Sequence, residues 1–108
     1  MGQGINQYDV FWVSLDPTKG SEISKKRPCI IVSPDELNKH LRTVIIAPLT
    51  STIKSYPWRV DCLVLDNKGS IALDQIRTID KNRIGNVIGH LKQSEIENIK
   101  SVLMEMFC

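Results

Sequence analysis

The chain has 108 residues, 42% of them apolar, and a formal net charge of +2 at pH 7, which suits one domain with one core and leaves attraction to a polyanion to local clusters of cations. Its three cysteines (Cys29, Cys62 and Cys108) lack a CxxC spacing and its two histidines (His40 and His90) stand far apart without an acidic or cysteine partner at an informative spacing, so no metal or other cofactor is expected and the thiols read as structural residues of a reducing compartment. Residues 1–9 do not form a basic segment followed by an apolar core, and no run approaches the ~20 apolar residues of a membrane span, so a cytoplasmic protein that does not enter the membrane is expected.

The β-branched and aromatic run Val10-Phe11-Trp12-Val13 predicts the first strand, ending at the Asp16-Pro17 turn signal. A polar loop, Leu15 to Glu22, follows and leads through Lys25-Lys26-Arg27-Pro28 into a second strand, Cys29 to Val32. At Ser33-Pro34-Asp35-Glu36, a serine cap, a proline at the first helical position and a glutamate three residues after the cap predict a short helix. Thr43 to Leu49 is the most apolar run and has no polar alternation, so it predicts a central strand covered on both faces. From Trp58 to Leu65, alternation returns with Val60 and Cys62 on one side and Arg59 and Asp61 on the other, as in a half-exposed strand. Asn67-Lys68-Gly69 reads as a turn, Ser70 to Ile79 as one further strand, and Ile84 to Leu91 as another interrupted by Gly85 and Gly89. Finally Ile96, Ile99, Val102, Leu103 and Met106 recur at helical spacing behind a Ser94/Glu97 capping box. Short strands separated by turns and closed by one helix predict a mainly β fold, a small SH3-like barrel with a C-terminal helix, in a single domain over residues 1–108.

Three polar groupings stand out. Arg27 sits at the mouth of an apolar strand, where a guanidinium held by a rigid element can offer a planar fork to a phosphate, with Lys25 and Lys26 as steering charges. Thr50 and Ser51 place hydroxyls just after the central strand, so Arg27 and Thr50 would form an anion pocket if their strands pair. Lys54-Ser55-Tyr56-Pro57-Trp58-Arg59 interleaves cations and aromatics, which suits either base stacking with phosphate contacts or a surface loop whose Trp58 packs into the core. Around Asp74 and Arg77 to Lys81, an Arg–Asp pair holding the next turn is the expected reading.

Taken in order, Asp9-Val10-Phe11-Trp12-Val13, Leu15 to Glu22, Arg27-Pro28, Ala47-Pro48-Leu49-Thr50-Ser51 and Asp74 to Lys81 resemble the MazF/PemK (Kid) family of toxin endoribonucleases over nearly the whole chain. The resemblance implies an SH3-like barrel of the CcdB/Kid/MazF kind, a homodimer, a cognate antitoxin and metal-independent, sequence-selective cleavage of single-stranded RNA. In that reaction a ribose 2′-hydroxyl attacks the adjacent phosphate, leaving 2′,3′-cyclic phosphate and 5′-hydroxyl ends and stopping translation. It implies catalytic roles for Arg27, Thr50 and Glu22, the last as base or substrate-positioning acid. Ser21, Lys25, Lys26 and Ser51 are expected on the substrate, as are Lys54, Tyr56 and Trp58, together with Asp74 and Gln75. Where Kid-like members carry a histidine after the loop glycine this chain has Ser21, and where they carry an arginine two residues before the strand aspartate it has Ala72, which favours the branch that relies on the strand-edge arginine and the threonine. Two other classes compete: a CcdB-like inhibitor of gyrase, and an SH3-like module that binds RNA without cutting it.

Overall fold

In the computed structural model, which describes residues 4–15, 26–51 and 56–108, the described residues form seven strands and two α-helices. In chain order these are β1 (Asp9–Ser14), β2 (Lys26–Ile31), α1 (Asp35–His40), β3 (Thr43–Thr50), β4 (Arg59–Val64), β5 (Asn67–Ala72), β6 (Arg77–Asp80), β7 (Ile84–His90) and α2 (Gln93–Phe107). The predicted mainly β architecture with one C-terminal helix is what forms, as a strongly curled half-barrel.

The sheet is organised by β3. One edge pairs β2, while the other pairs β6 through Thr43 to Ile46 and then β5 through Leu49 and Thr50. Pro48 cannot donate a backbone hydrogen bond, and it falls where that second edge changes partner, which is how a central strand tolerates it. The spatial order is β4-β5-β3-β2-β1-β7, with β6 beside β3.

Both faces of this sheet are covered, which accounts for the unbroken apolar run of β3. One core joins Val10, Ile30, Ala47, Leu49 and Ile71 to Ile96 and Ile99 of α2. On the other face, Phe11, Val13, Cys29, Ile31, Val44 and Ile46 pack with Ile79. Two register shifts between β1 and β7 mark bulges, and near them a side chain on Gly85 would begin 3.1 Å from the Trp12 carbonyl oxygen.

Four local readings change. The β4–β5 register pairs Val64 with Asn67, so the turn is Leu65-Asp66, whose positive φ values of 51° and 64° suit a tight two-residue hairpin, and Asn67-Lys68-Gly69 lies within β5. The single strand expected over Ser70 to Ile79 is broken by a 3₁₀ turn at Leu73–Gln75, because β5 pairs the end of β3 and β6 its beginning. Ser33 does not cap α1: its hydroxyl donates to Asn38 Oδ1 at 2.5 Å and accepts from the Ile45 N–H at 3.0 Å, tying helix to β3. The start of α2 is held not by Ser94 and Glu97 but by buried Glu95, whose carboxylate accepts from the Lys92 N–H and, across the fold, from the Leu63 N–H, each at 2.9 Å.

The C-terminal helix is anchored by Ile96 and Ile99, whereas Met106, on the predicted stripe, is 37% exposed. Ile99→Ala should therefore cost about 2–5 kcal/mol in denaturant unfolding, and Met106→Asp no more than about 0.5 kcal/mol. Equal effects of the two would overturn this view of the helix. Burial pushes the thiols of Cys29 and Cys62 up to about 12, while Cys108 is exposed. At pH 8 a thiol reagent should label Cys108 promptly and reach the other two only on unfolding; rapid labelling of all three in the native protein would contradict the packing.

Candidate functional site

Arg27 is the second residue of β2 and faces Val13 of β1 across one edge. On the other edge the register with β3 runs Ile31 to Ile46, Ile30 to Ala47 and Cys29 to Pro48. Extended by two residues, the same register aligns Arg27 with Thr50, the last residue of β3. Directly opposed residues project to one face, so the guanidinium and the hydroxyl rise from adjacent strand ends, which is the condition set for an anion pocket. Behind them on that face lie Cys29, Ile31 and Ile46, whose packing fixes the backbone that carries Arg27. The Cys29 thiol feels the attraction of Arg27 and Arg77, yet burial outweighs both and holds it protonated at neutral pH, so the sulfur is not a nucleophile.

A cavity of about 350 Å³ opens across these strand ends. Its lining joins Arg27, Thr50, Ser51 and Lys68 to Trp12, Pro28, Leu49 and Leu65, so it wraps around the strand ends, because Trp12, Pro28 and Leu49 alternate to the face opposite Arg27 and Thr50. Ser70 lies directly across from Thr50 on β5, fully buried, and its hydroxyl has no hydrogen-bond partner among the described residues. Among the described residues, the Ser70 hydroxyl thus keeps unused hydrogen-bonding capacity beside Thr50.

A second grouping lies at the start of β4. The rings of Tyr56 and Trp58 stack, with centroids 4.9 Å apart and planes 16° from parallel. Arg59 places its Cζ 5.7 Å from the Tyr56 ring centroid, and its Nε donates to Asp74 Oδ1 at 3.0 Å. The Arg59 side chain is only 12% exposed, so the carboxylate clamps a partly desolvated guanidinium against the aromatic pair. Trp58 and Tyr56 remain 38% and 41% exposed, so Trp58 is not a core residue. The Arg–Asp pair expected in this region exists, but Asp74 takes Arg59 and not Arg77. Arg59 is the cross-strand partner of Ala72, so a neighbouring strand supplies an arginine where the Kid-like pattern has one in line.

The remaining expected residues divide. Gln75 is exposed in the 3₁₀ turn beside Asp74. Lys26, next to Arg27 in β2, alternates to the opposite face, and its ammonium lies near Gly85 of β7. Ser21, Glu22, Lys25 and Lys54 lie outside the described residues. Both histidines have carboxylate partners that spacing did not reveal: His40 meets Glu36 at 3.1 Å, and His90 Nδ1 meets Asp9 Oδ1 at 2.6 Å. Asp9 and Val13 are at opposite ends of β1, so the second pair is remote from Arg27. Trp12 and Lys68 line the cavity without having been expected there, and Arg59, expected only as part of the cation–aromatic run, proves to be the partner of Asp74. Only Trp12 left a signal: it is out of phase with the core residues Phe11 and Val13.

Residues 6–107 match the profile of the PemK-like, MazF-like toxin of type II toxin-antitoxin systems. An endoribonuclease MazF of Staphylococcus saprophyticus is 34% identical, over 88% of this chain and 84% of that protein. Among solved structures, a MazE–MazF complex from Deinococcus radiodurans superposes with a TM-score of 0.81 at 21% identity, covering 97% of this chain and 96% of that one. A mycobacterial endoribonuclease in complex with its cognate antitoxin superposes with a TM-score of 0.79 at 24% identity, covering 94% and 92%. At those identities the superpositions speak for the fold, while the profile and the staphylococcal relative carry the family.

If Asp74 and Arg59 hold the aromatic pair in place, Arg59→Met in a Trp12→Phe background should loosen Trp58. The expected readout is a red-shifted emission and stronger acrylamide quenching, with Asp74→Asn moving both in the same direction. Unchanged quenching in both variants would remove the strut.

Proposed function

This chain belongs to the PemK-like, MazF-like toxin family of type II toxin-antitoxin systems, and we propose that it acts there as a sequence-selective endoribonuclease on single-stranded RNA. The observation that carries the reading is the alignment of Arg27 with Thr50 at the mouth of a cavity. Cleavage by an internal 2′-hydroxyl needs a base for that proton, a proton donor for the leaving 5′-oxygen and donors around the phosphorane as charge builds on its oxygens. The fork of Arg27, fixed by the packed strand behind it, meets the charge and has N–H groups to offer the leaving oxygen. Thr50 presents a hydroxyl on the same face for a nonbridging oxygen, with Ser51 beside it. Glu22 is assigned the base or the positioning of the 2′-hydroxyl, on the strength of the family resemblance. No step in this scheme is routed through a metal.

The stacked Tyr56 and Trp58 extend the reading from chemistry to recognition. An exposed aromatic pair receives a base by stacking, Gln75 beside Asp74 offers a polar contact, and Lys54 is assigned to the RNA on the strength of the family resemblance. Asp74 serves this surface through Arg59. The 108 residues act as one toxin domain, as a homodimer in the cytoplasm, silenced by a cognate antitoxin whose acidic extended segment competes for the cationic RNA surface.

The purified protein should cut single-stranded RNA in the presence of a chelator and leave 2′,3′-cyclic phosphate ends. Arg27→Ala should slow single-turnover cleavage by about 100-fold, the usual cost of one transition-state donor, with little change in melting temperature. Thr50→Val should also impair cleavage while preserving the fold. Mapping 5′ ends generated by wild type and Arg27→Ala tests enzyme, specificity and site together. Cleavage abolished by chelator would refute the metal-free scheme, and RNA bound but left intact would make the chain a binding module.

A further inference from the structure

Arg77 opens β6 directly across from Ile46 of β3, and it is exposed. Alternation along β3 puts Ile46, Pro48 and Thr50 on one face, so Arg77 projects to the same face as Thr50 and, through the register of β2, as Arg27 and Cys29. Along the strand, Ile46 and Thr50 are separated by about 13 Å at the usual rise per residue, with Arg77 and Arg27 one strand to either side. Arg27 therefore stands toward the Thr50 end of this face and Arg77 at its Ile46 end, with β3 between their strands.

Neither cation is neutralised by a carboxylate among the described residues. The acid that sequence order offered to Arg77 is Asp74, three residues away, and it is occupied by Arg59. Arg59 is a clamped arginine with a structural partner, whereas Arg77 makes no ion pair among the described residues. Two guanidinium forks on one face, neither ion-paired among the described residues, suit at this spacing two phosphates of one strand better than one phosphate gripped from both sides. An arginine presented by strand backbone is an apt phosphate donor, and such contacts set affinity and register without reading sequence.

We propose that Arg77 is a substrate-binding residue that holds a backbone phosphate flanking the scissile one, so that the RNA strand runs across the face of the sheet from Thr50 toward β6. The proposal rests on the assignment of this face to single-stranded RNA. It makes Arg77 an affinity residue for RNA of any sequence, distinct from Arg27 in the chemistry and from Tyr56 and Trp58 in base selection.

The test measures binding without cleavage, using a fluorescein-labelled single-stranded RNA with 2′-fluoro in place of every 2′-hydroxyl, titrated at several salt concentrations. Arg77→Gln should weaken binding by about 10-fold. It should also reduce the slope of log affinity against log salt by about 0.7, the increment for one phosphate contact on a single strand. Arg77→Lys should keep most of the slope. With cleavable RNA, Arg77→Gln should raise KM and leave kcat within about twofold, since the flanking phosphate is held alike in ground and transition states. An unchanged slope and affinity in Arg77→Gln would overturn the proposal, as would a loss in kcat at constant affinity, which would place Arg77 at the reacting phosphate. Tight, salt-dependent binding weakened by Arg77→Gln in a protein that never cuts RNA would sustain Arg77 and refute the ribonuclease reading, so the two failures are separable.

Discussion

Arg27, Thr50, Ser70 and Arg77 take their positions from β3, an apolar strand paired on both edges and buried on both faces. A strand so enclosed cannot slip by one residue without turning two apolar faces inside out, because side chains alternate with a period of two. Its register is therefore fixed, and with it the opposition of Arg27 to Thr50, of Ser70 to Thr50 and of Arg77 to Ile46. The stability of the core and the geometry of the site are one constraint seen at two points along the same strand.

That arrangement separates rigid parts from reactive ones. The thiol nearest the cations is buried and kept protonated, so a potential competing nucleophile in the site is silenced by burial. The polar groups stand at strand ends, where side chains leave the packed layer and reach solvent. On the proposed reading, affinity, chemistry and base selection fall to different arginines: Arg77 on the sheet face, Arg27 at the cavity mouth, and Arg59 clamped by Asp74 against an aromatic stack.

The arginines also show how an Arg–Asp pair can be made across strands rather than along one. Position 72 is alanine, and its cross-strand partner is Arg59, which reaches Asp74 of the 3₁₀ turn from β4. Hydrogen bonding depends on where a guanidinium ends, not on which strand it starts from. A register pair can thus replace an in-line spacing, and a linear motif search sees only the loss.

The amino-acid sequence by itself determined the class of the fold, the central strand, the amphipathic helix and the identity of Arg27 and Thr50 as a pair worth testing. Those features rest on local periodicity and on punctuation by Pro, Gly and charged residues, and both are written along the chain. The tertiary structure alone decided that Leu65-Asp66 is the turn, that β5 and β6 are two strands, that Glu95 anchors the helix to β4, and that Asp74 belongs to Arg59 and not to Arg77. Each of these depends on a partner distant in sequence, such as the Leu63 N–H for Glu95 or the two ends of β3 for β5 and β6. Pairing across strands is set by which residues the closed core brings opposite one another, and no spacing along the chain encodes it.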